Sequence, residues 1–422
     1  MDSHMFLTDT EKAMLDGEKG EVVREALDYI IQFGDAFQAE RLVDIVYCHY
    51  PAEMAIYQGS VEDVVEYSQR GGKVCVPTSN STLCCDLERL DITGIPKELA
   101  DLQSKVESAH RRMGICETYT CTPQKIGFIP PFGANIATVE SSAIIYYNSV
   151  LGCRTNRGGL FTRYSAITGK YPLMGYMLTK NRRGTHLFKV NIPHEKLNAY
   201  DTLCALGFQI GSIVGSDVPV IDGIKLQCQN NIIGFGAALA TSGSVTLYHI
   251  PGVTPEARTI EDAFQSATDY EVHEVTQKDI DIVYEKFNTI SFGQIDFVTL
   301  GCPHYNLEQI RYVAEKLKGE KVAKGVRFWI CTNRMTRKQA EYSGYLKTIE
   351  DTGALLVADT CPVESHMRSS TCREFGLTVP NVDTMITDSV KMARYVSDLI
   401  GCKTRLTDTD SCIKAAVSGR WE

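Results

Sequence analysis

Three cysteines stand at proline-containing turns: Thr120-Cys121-Thr122-Pro123, Gly301-Cys302-Pro303-His304 and Thr360-Cys361-Pro362-Val363. The residues before Cys302 (296–300) and before Cys361 (354–358) are short, largely apolar runs that predict buried strands, and the same placement is expected for Cys121. Each thiol would then sit at a strand's carboxyl end, where ligands gather in open α/β sheets. Proline cannot continue a hydrogen-bonded ladder, so it fixes the turn that holds the thiol there. Three thiolates delivered in this way can hold an iron–sulfur cluster and leave one iron free for substrate, which is lyase chemistry. The plain alternative is three cysteines packed as small hydrophobes, a poor use of three strand ends beside proline.

Polar clusters supply candidates for the surroundings of such a centre. Thr78, Ser79 and Asn80, within Pro77-Thr78-Ser79-Asn80-Ser81-Thr82, offer hydroxyls and an amide after an expected strand at 73–77, or else a helix cap and turn. Ser141 and Ser142 precede an apolar helical segment at 143–151, and Arg154, Thr155, Asn156 and Arg157 follow it with Gly158 and Gly159. Two arginines with this neighbourhood favour a site for a carboxylate or phosphate over solvated charge. His304 is placed to orient a leaving hydroxyl or act as a base, or simply to cap the next helix. Residues 180–184 read as a solvated basic hairpin. The glycines at 211–215 lack the strand–turn–helix context of a dinucleotide fingerprint and are assigned no cofactor.

The elements that position these groups read as alternating helices and strands. A capped helix begins near Thr8, residues 21–33 are helical, 43–49 and 73–77 are strands around a helix at 61–69, and alternation resumes from 295. Residues 207–223 and 234–243 are apolar and glycine-rich, and 255–285 is acidic and helical. The fold class expected is α/β, a multi-lobed layered arrangement divided into residues 6–290, with the polar loops and Cys121, and 291–422, with Cys302 and Cys361. Residues 1–5 read as a remnant of expression rather than as native sequence. With 422 residues, 44% hydrophobic and 23% charged, the chain is long enough for a large core. Its net charge of -9 argues against nucleic acid or an anionic membrane as partner. No apolar run approaches the roughly 20 residues of a membrane span, and no signal peptide opens the chain. Fifteen scattered cysteines imply a reducing cytoplasm rather than a disulfide framework.

In these segments the chain resembles the catalytic part of the aconitase X family. The resemblance is carried by Val76-Pro77-Thr78, Tyr119-Thr120-Cys121-Thr122-Pro123, Glu140-Ser141-Ser142-Ala143, residues 148–157, Gly301-Cys302-Pro303-His304, Asp359-Thr360-Cys361-Pro362-Val363 and Thr387-Asp388-Ser389-Val390-Lys391, in family order over nearly the whole chain. It implies an iron-dependent hydro-lyase in which Cys121, Cys302 and Cys361 carry a [4Fe–4S] or [2Fe–2S] cluster or simpler iron. His304, Ser141, Ser142 and Lys391 are the catalytic candidates, and Thr78, Ser79, Asn80, Arg154, Thr155, Asn156 and Arg157 the substrate-binding ones. The iron would polarise a departing hydroxyl while a base takes a proton from the neighbouring carbon. The family's smaller swivelling domain finds no place in this chain, so a small partner subunit is expected to complete a heterodimer and to supply a catalytic serine. Cis-3-hydroxy-L-proline is the substrate expected, since the lysine and glutamate content does not indicate a hyperthermophile; mevalonate 5-phosphate is the alternative. Gly158 departs from the acidic residue common after the family's Asn-Arg pair. A non-catalytic redox sensor, or a zinc ion stapling the fold with His304 as fourth ligand, is the alternative of another class.

Overall fold

A computed structural model describes residues 3–51, 53, 58–225, 228–367, 372–373, 376 and 382–422. The α/β reading holds, and apolar periodicity builds three packed regions. In the first, the helices Glu21–Ala36, Gln58–Gln69, Lys97–Met113 and Thr162–Thr168 enclose a short parallel pair of strands, Cys48–Tyr50 beside Thr78–Asn80. Ala26, Val64, Val106, Ala109 and Met113 are buried between them. Met5 is buried against the first helices.

In the middle region three parallel strands, in the order Pro219–Asp222, His186–Asn191, Glu271–Thr276, pack beside the helices Tyr200–Val214 and Gln229–Gly243. The glycine-rich runs fall on these two helices, the first continuing into the strand Pro219–Asp222. A Cβ on Gly207 would stand 2.5 Å from the Phe235 carbonyl oxygen, and one on Gly211 would stand 2.6 Å from that of Leu239, so glycine sets how closely the helices approach. The strand at 271–276 replaces part of the helix expected over 255–285. Its charged residues stand on an edge strand half open to water, which hides the strand signal.

The last region is a five-stranded parallel sheet in the order Leu355–Ala358, Arg327–Thr332, Phe297–Leu300, Thr384–Thr387, Lys403–Leu406. The chain enters at the central strand, works outward to one edge, then returns to the other side of that centre. The order therefore reverses between Phe297–Leu300 and Thr384–Thr387, and a crevice opens at their carboxyl ends. Cys302 and Lys391 follow those two strands. Gly301, with φ +89°, makes the turn; a Cβ there would lie 2.2 Å from the Cys331 carbonyl oxygen.

Two strands expected in the first region differ. Residues 43–49 are broken into Leu42–Asp44 and Cys48–Tyr50, and the strand expected at 73–77 lies instead at Thr78–Asn80, because the polar residues there find buried partners. Replacing Gly207 with alanine should lower the denaturation free energy by about 1–3 kcal/mol, the cost of overpacking against a backbone that cannot rotate away. Chemical denaturation monitored by circular dichroism reads this directly.

Candidate active site

A cavity of about 380 Å³ at the crevice is lined by Cys121, Cys302 and Cys361 together with Glu140, Arg157 and Lys391. Cys302 and Cys361 arrive as expected, after the strands Phe297–Leu300 and Leu355–Ala358. Cys121 does not follow a regular strand. Residues 115–120 run beside Thr78–Asn80 with isolated bonds, the Cys116 amide donating to the Thr78 carbonyl at 2.9 Å and the Thr120 amide to the Asn80 carbonyl at 3.0 Å. The helical turn Pro123–Ile126 then begins. The first and last regions are clamped where Leu83 meets Cys361: the Leu83 amide donates to the Asp359 carbonyl at 2.7 Å, and the Cys361 amide returns a bond to the Leu83 carbonyl at 3.0 Å. The His304 amide donates to Cys121 Sγ at 3.2 Å, tying two of the cysteine turns together.

The donor set fits a cluster-sized centre. Burial, with Glu140 adding to it, pushes the Cys121 thiol up to about 12, while Lys391 acts in the opposite sense. Burial likewise raises Cys302 and Cys361, and Lys391 counteracts it at both. Cys302 acts on both Cys121 and Cys361, and Lys391 acts on all three, so the thiols share one environment. Among the described residues, their sulfurs do not gather within 4.8 Å of one another as the ligands of a single ion would. The amide donated to Cys121 and the nearby lysine are the kinds of interaction that tune an iron–sulfur centre.

His304 lines the cavity, but both ring nitrogens are engaged: Nε2–H donates to the Thr360 carbonyl at 3.2 Å, and Nδ1 lies 3.3 Å from Thr120 Oγ1. Burial lowers its pKa to about 4, so the ring is neutral. The ring thus holds two cysteine turns in place and is not free to complete a zinc staple.

Lys391 crosses the cavity. Its Nζ donates to Glu140 Oε1 and to Ser141 Oγ, each at 2.8 Å, and lies 3.3 Å from Ser142 Oγ. Burial alone would raise the Glu140 carboxyl, but Lys391 and the Ser142 amide at the start of the helix Ser141–Ser149 hold it down at about 2. Burial would lower Lys391; Glu140 overrides it and keeps the ammonium charged. Ser141 lines the cavity, whereas Ser142 is buried behind it. Sequence reasoning did not single out Glu140 as a site residue. It stands 251 positions from Lys391 and reads locally as a helix cap.

The remaining expected substrate residues divide sharply. Arg157 lines the cavity and is exposed, with no ion pair among the described residues. Arg154 turns away, donating to the Met177 carbonyl at 3.0 Å. Asn156 donates to the Met174 carbonyl and accepts from the Tyr176 amide, and Thr155 is buried with its amide on Asn148. Thr78, Ser79 and Asn80 form the buried strand behind the cavity. Ser79 contacts His49 and Tyr47, and Thr78 bonds the Val76 carbonyl. Thr82 is the member of that loop that reaches the cavity wall. Residues 180–184 are not a solvated hairpin. Arg182 is 1% exposed, pairs with Glu256 and donates to Asn148, because a half-buried carboxylate and buried carbonyls await it.

A crevice of an open α/β sheet that gathers three cysteines, a charged lysine and an arginine into one cavity is the arrangement expected of a hydro-lyase of the aconitase kind. The chain belongs to the aconitase X family: family models of the aconitase X first, second and third domains match residues 4–180, 184–285 and 295–418. The phosphomevalonate dehydratase large subunit of Methanothermobacter thermautotrophicus is 36% identical over 94% of this chain and 95% of its own. The cis-3-hydroxy-L-proline dehydratase of Pseudomonas aeruginosa is 31% identical over 97% of this chain and 70% of its own. The crystal structure of Thermococcus kodakaraensis aconitase X in its holo-form superposes with a TM-score of 0.84 at 30% identity, covering 98% of this chain and 100% of that one. Among the described residues no helix is long and apolar enough to cross a membrane.

Replacing Lys391 with methionine should abolish activity and destabilise the fold by about 3 kcal/mol, since it strands the Glu140 carboxylate. Glu140 has a depressed pKa, so its stabilising share is complete above the ordinary glutamate range and is lost as the pH falls toward about 2. Acid titration of stability should therefore show a smaller change over that window in Lys391→Met than in the parent. Because the thiols must lose protons to bind metal, iron and sulfide uptake by the metal-free chain should release protons and quicken as pH rises. Stopped-flow absorbance with a pH indicator measures both.

Proposed function

We propose that this chain is the large component of a two-part dehydratase that eliminates water from a small hydroxy acid at an iron centre held by Cys121, Cys302 and Cys361. The observation that carries the reading is the gathering of three thiols, the Lys391–Glu140 pair and the uncommitted Arg157 in one cavity. When bound, an iron–sulfur cluster with an open iron supplies a Lewis acid for the departing hydroxyl. Arg157 takes the substrate carboxylate in a forked pair. Lys391, held by Glu140 and Ser141, keeps a positive charge at the cavity wall to stabilise the charge that develops on that carboxylate as the neighbouring carbon loses its proton.

Glu140 is too acidic to act as the base, Lys391 is fully protonated, and His304 has both ring nitrogens engaged. This supports a small swivelling subunit that brings the base, expected to be a serine, and excludes water during the reaction. The large-subunit names of several relatives point the same way.

One uncommitted cation among the described lining residues matches a substrate with a single carboxylate, which favours cis-3-hydroxy-L-proline. Mevalonate 5-phosphate is the second reading, favoured by the higher identity to a phosphomevalonate dehydratase large subunit. Anaerobic reconstitution with iron, sulfide and the small subunit should convert cis-3-hydroxy-L-proline to a cyclic imine, with the isolated chain nearly inactive. Turnover of mevalonate 5-phosphate alone would establish the second reading, and turnover of neither would remove both substrates. Arg157→Lys should lower kcat/KM by roughly 10–100-fold, the worth of about 1.5–3 kcal/mol in charge-assisted bonding.

A further inference from the structure

The sheet of the middle region carries a second constellation of ligating side chains, separate from the cysteine cavity. His186 opens the central strand His186–Asn191, and Glu271 lies directly opposite it on the edge strand Glu271–Thr276. His273 follows two residues later and therefore stands on the same face of the sheet. The Nε2 atoms of His186 and His273 lie 3.7 and 3.5 Å from one and the same oxygen, Oε2 of Glu271. One ligand atom from each residue falls within 4.8 Å of the others.

These separations suit a shared ion better than direct contacts. Ligands at about 2.0–2.2 Å around a tetrahedral ion lie roughly 3.3–3.6 Å apart. His273 Nε2 is sealed from solvent and has no hydrogen-bond partner. At His186 the ring is held from behind: Thr185 Oγ1 lies 2.8 Å from Nδ1 and 3.2 Å from the Val218 carbonyl oxygen, so Nδ1 is engaged and Nε2 is the nitrogen turned toward Glu271. Ring stacking holds the imidazoles: their centroids are 5.5 Å apart at 18°, and Phe188 stacks on His273 at 4.9 Å. Neither contact occupies a ring nitrogen.

We propose that His186, Glu271 and His273 bind a divalent transition-metal ion of the zinc class, which ties the edge strand to its neighbour. Two imidazoles and one carboxylate are borderline ligands of the kind zinc takes, and Thr185 is the outer partner that orients one of them. Glu271 is 71% exposed, so water can enter and fill the fourth position. The site is independent of the dehydratase reading, since none of its residues lines the cavity.

The test uses protein with its cysteine centre loaded, titrated with cobalt(II) and followed by ligand-field absorption, with zinc binding measured by calorimetry. One further equivalent of cobalt should bind with no sulfur-to-cobalt charge-transfer band, and zinc should raise the melting temperature and slow amide exchange over residues 271–276. The double variant His186→Gln, His273→Gln should weaken binding at least about hundredfold, and Thr185→Val, which keeps all three ligands, about 10–100-fold. Both variants should melt like the parent in metal-free buffer. No uptake beyond the cysteine centre at submillimolar metal, or equal uptake by the double variant, would overturn the site.

Discussion

The arrangement of the site depends on the ion pair between Lys391 and Glu140, which spans from the last region to the first. Two buried charges are costly unless each is well bonded, and here the ammonium has a carboxylate and two hydroxyls while the carboxylate also caps a helix. The pair fixes how the two regions meet across the cavity. It also places a positive charge beside three thiols whose pKa burial raises, and acts against that rise at each of them.

Around that pair the rest of the structure acts as a frame. The reversal of strand order in the five-stranded sheet opens the crevice and delivers Cys302 and Lys391 side by side. A second polar junction supports it from behind. Arg334 donates to Asp359 at 2.6 Å and to Glu107 at 2.8 Å, with its guanidinium 4.5 Å from the centre of the Tyr119 ring. Asp359 and Tyr119 lie two residues before Cys361 and Cys121, so one arginine steadies two of the cysteine turns. Asp359 holds a positive φ of 61°, a backbone conformation that this bonding keeps in place.

The candidate site was legible where chemistry coincides with a local pattern. Cys302 and Cys361 follow apolar runs and precede proline, and strand-end placement follows from those few residues. Cys121 shares the proline but not the strand, because residues 115–120 pair only in part with Thr78–Asn80. The cluster at 154–157 shows the limit of composition: Arg154 and Arg157 look alike in sequence, yet one is consumed by a backbone carbonyl and the other reaches the cavity. Thr78, Ser79 and Asn80 read as a binding loop because polar residues in a row usually face water, but here buried partners pull them into a strand.

By itself the sequence determined the α/β class, the three thiols and their strand-end or turn settings, and the resemblance to aconitase X, because all of these rest on short-range patterns and residue types. Tertiary structure alone decided that Glu140 is the partner of Lys391, that His304 spends both ring nitrogens on holding turns, and that Arg157 rather than Arg154 faces the cavity. It alone brought His186 to Glu271 and His273 across two paired strands. The reason is physical: a side chain's ionisation and availability are set by the groups that fold against it, and those groups lie tens to hundreds of residues away along the chain.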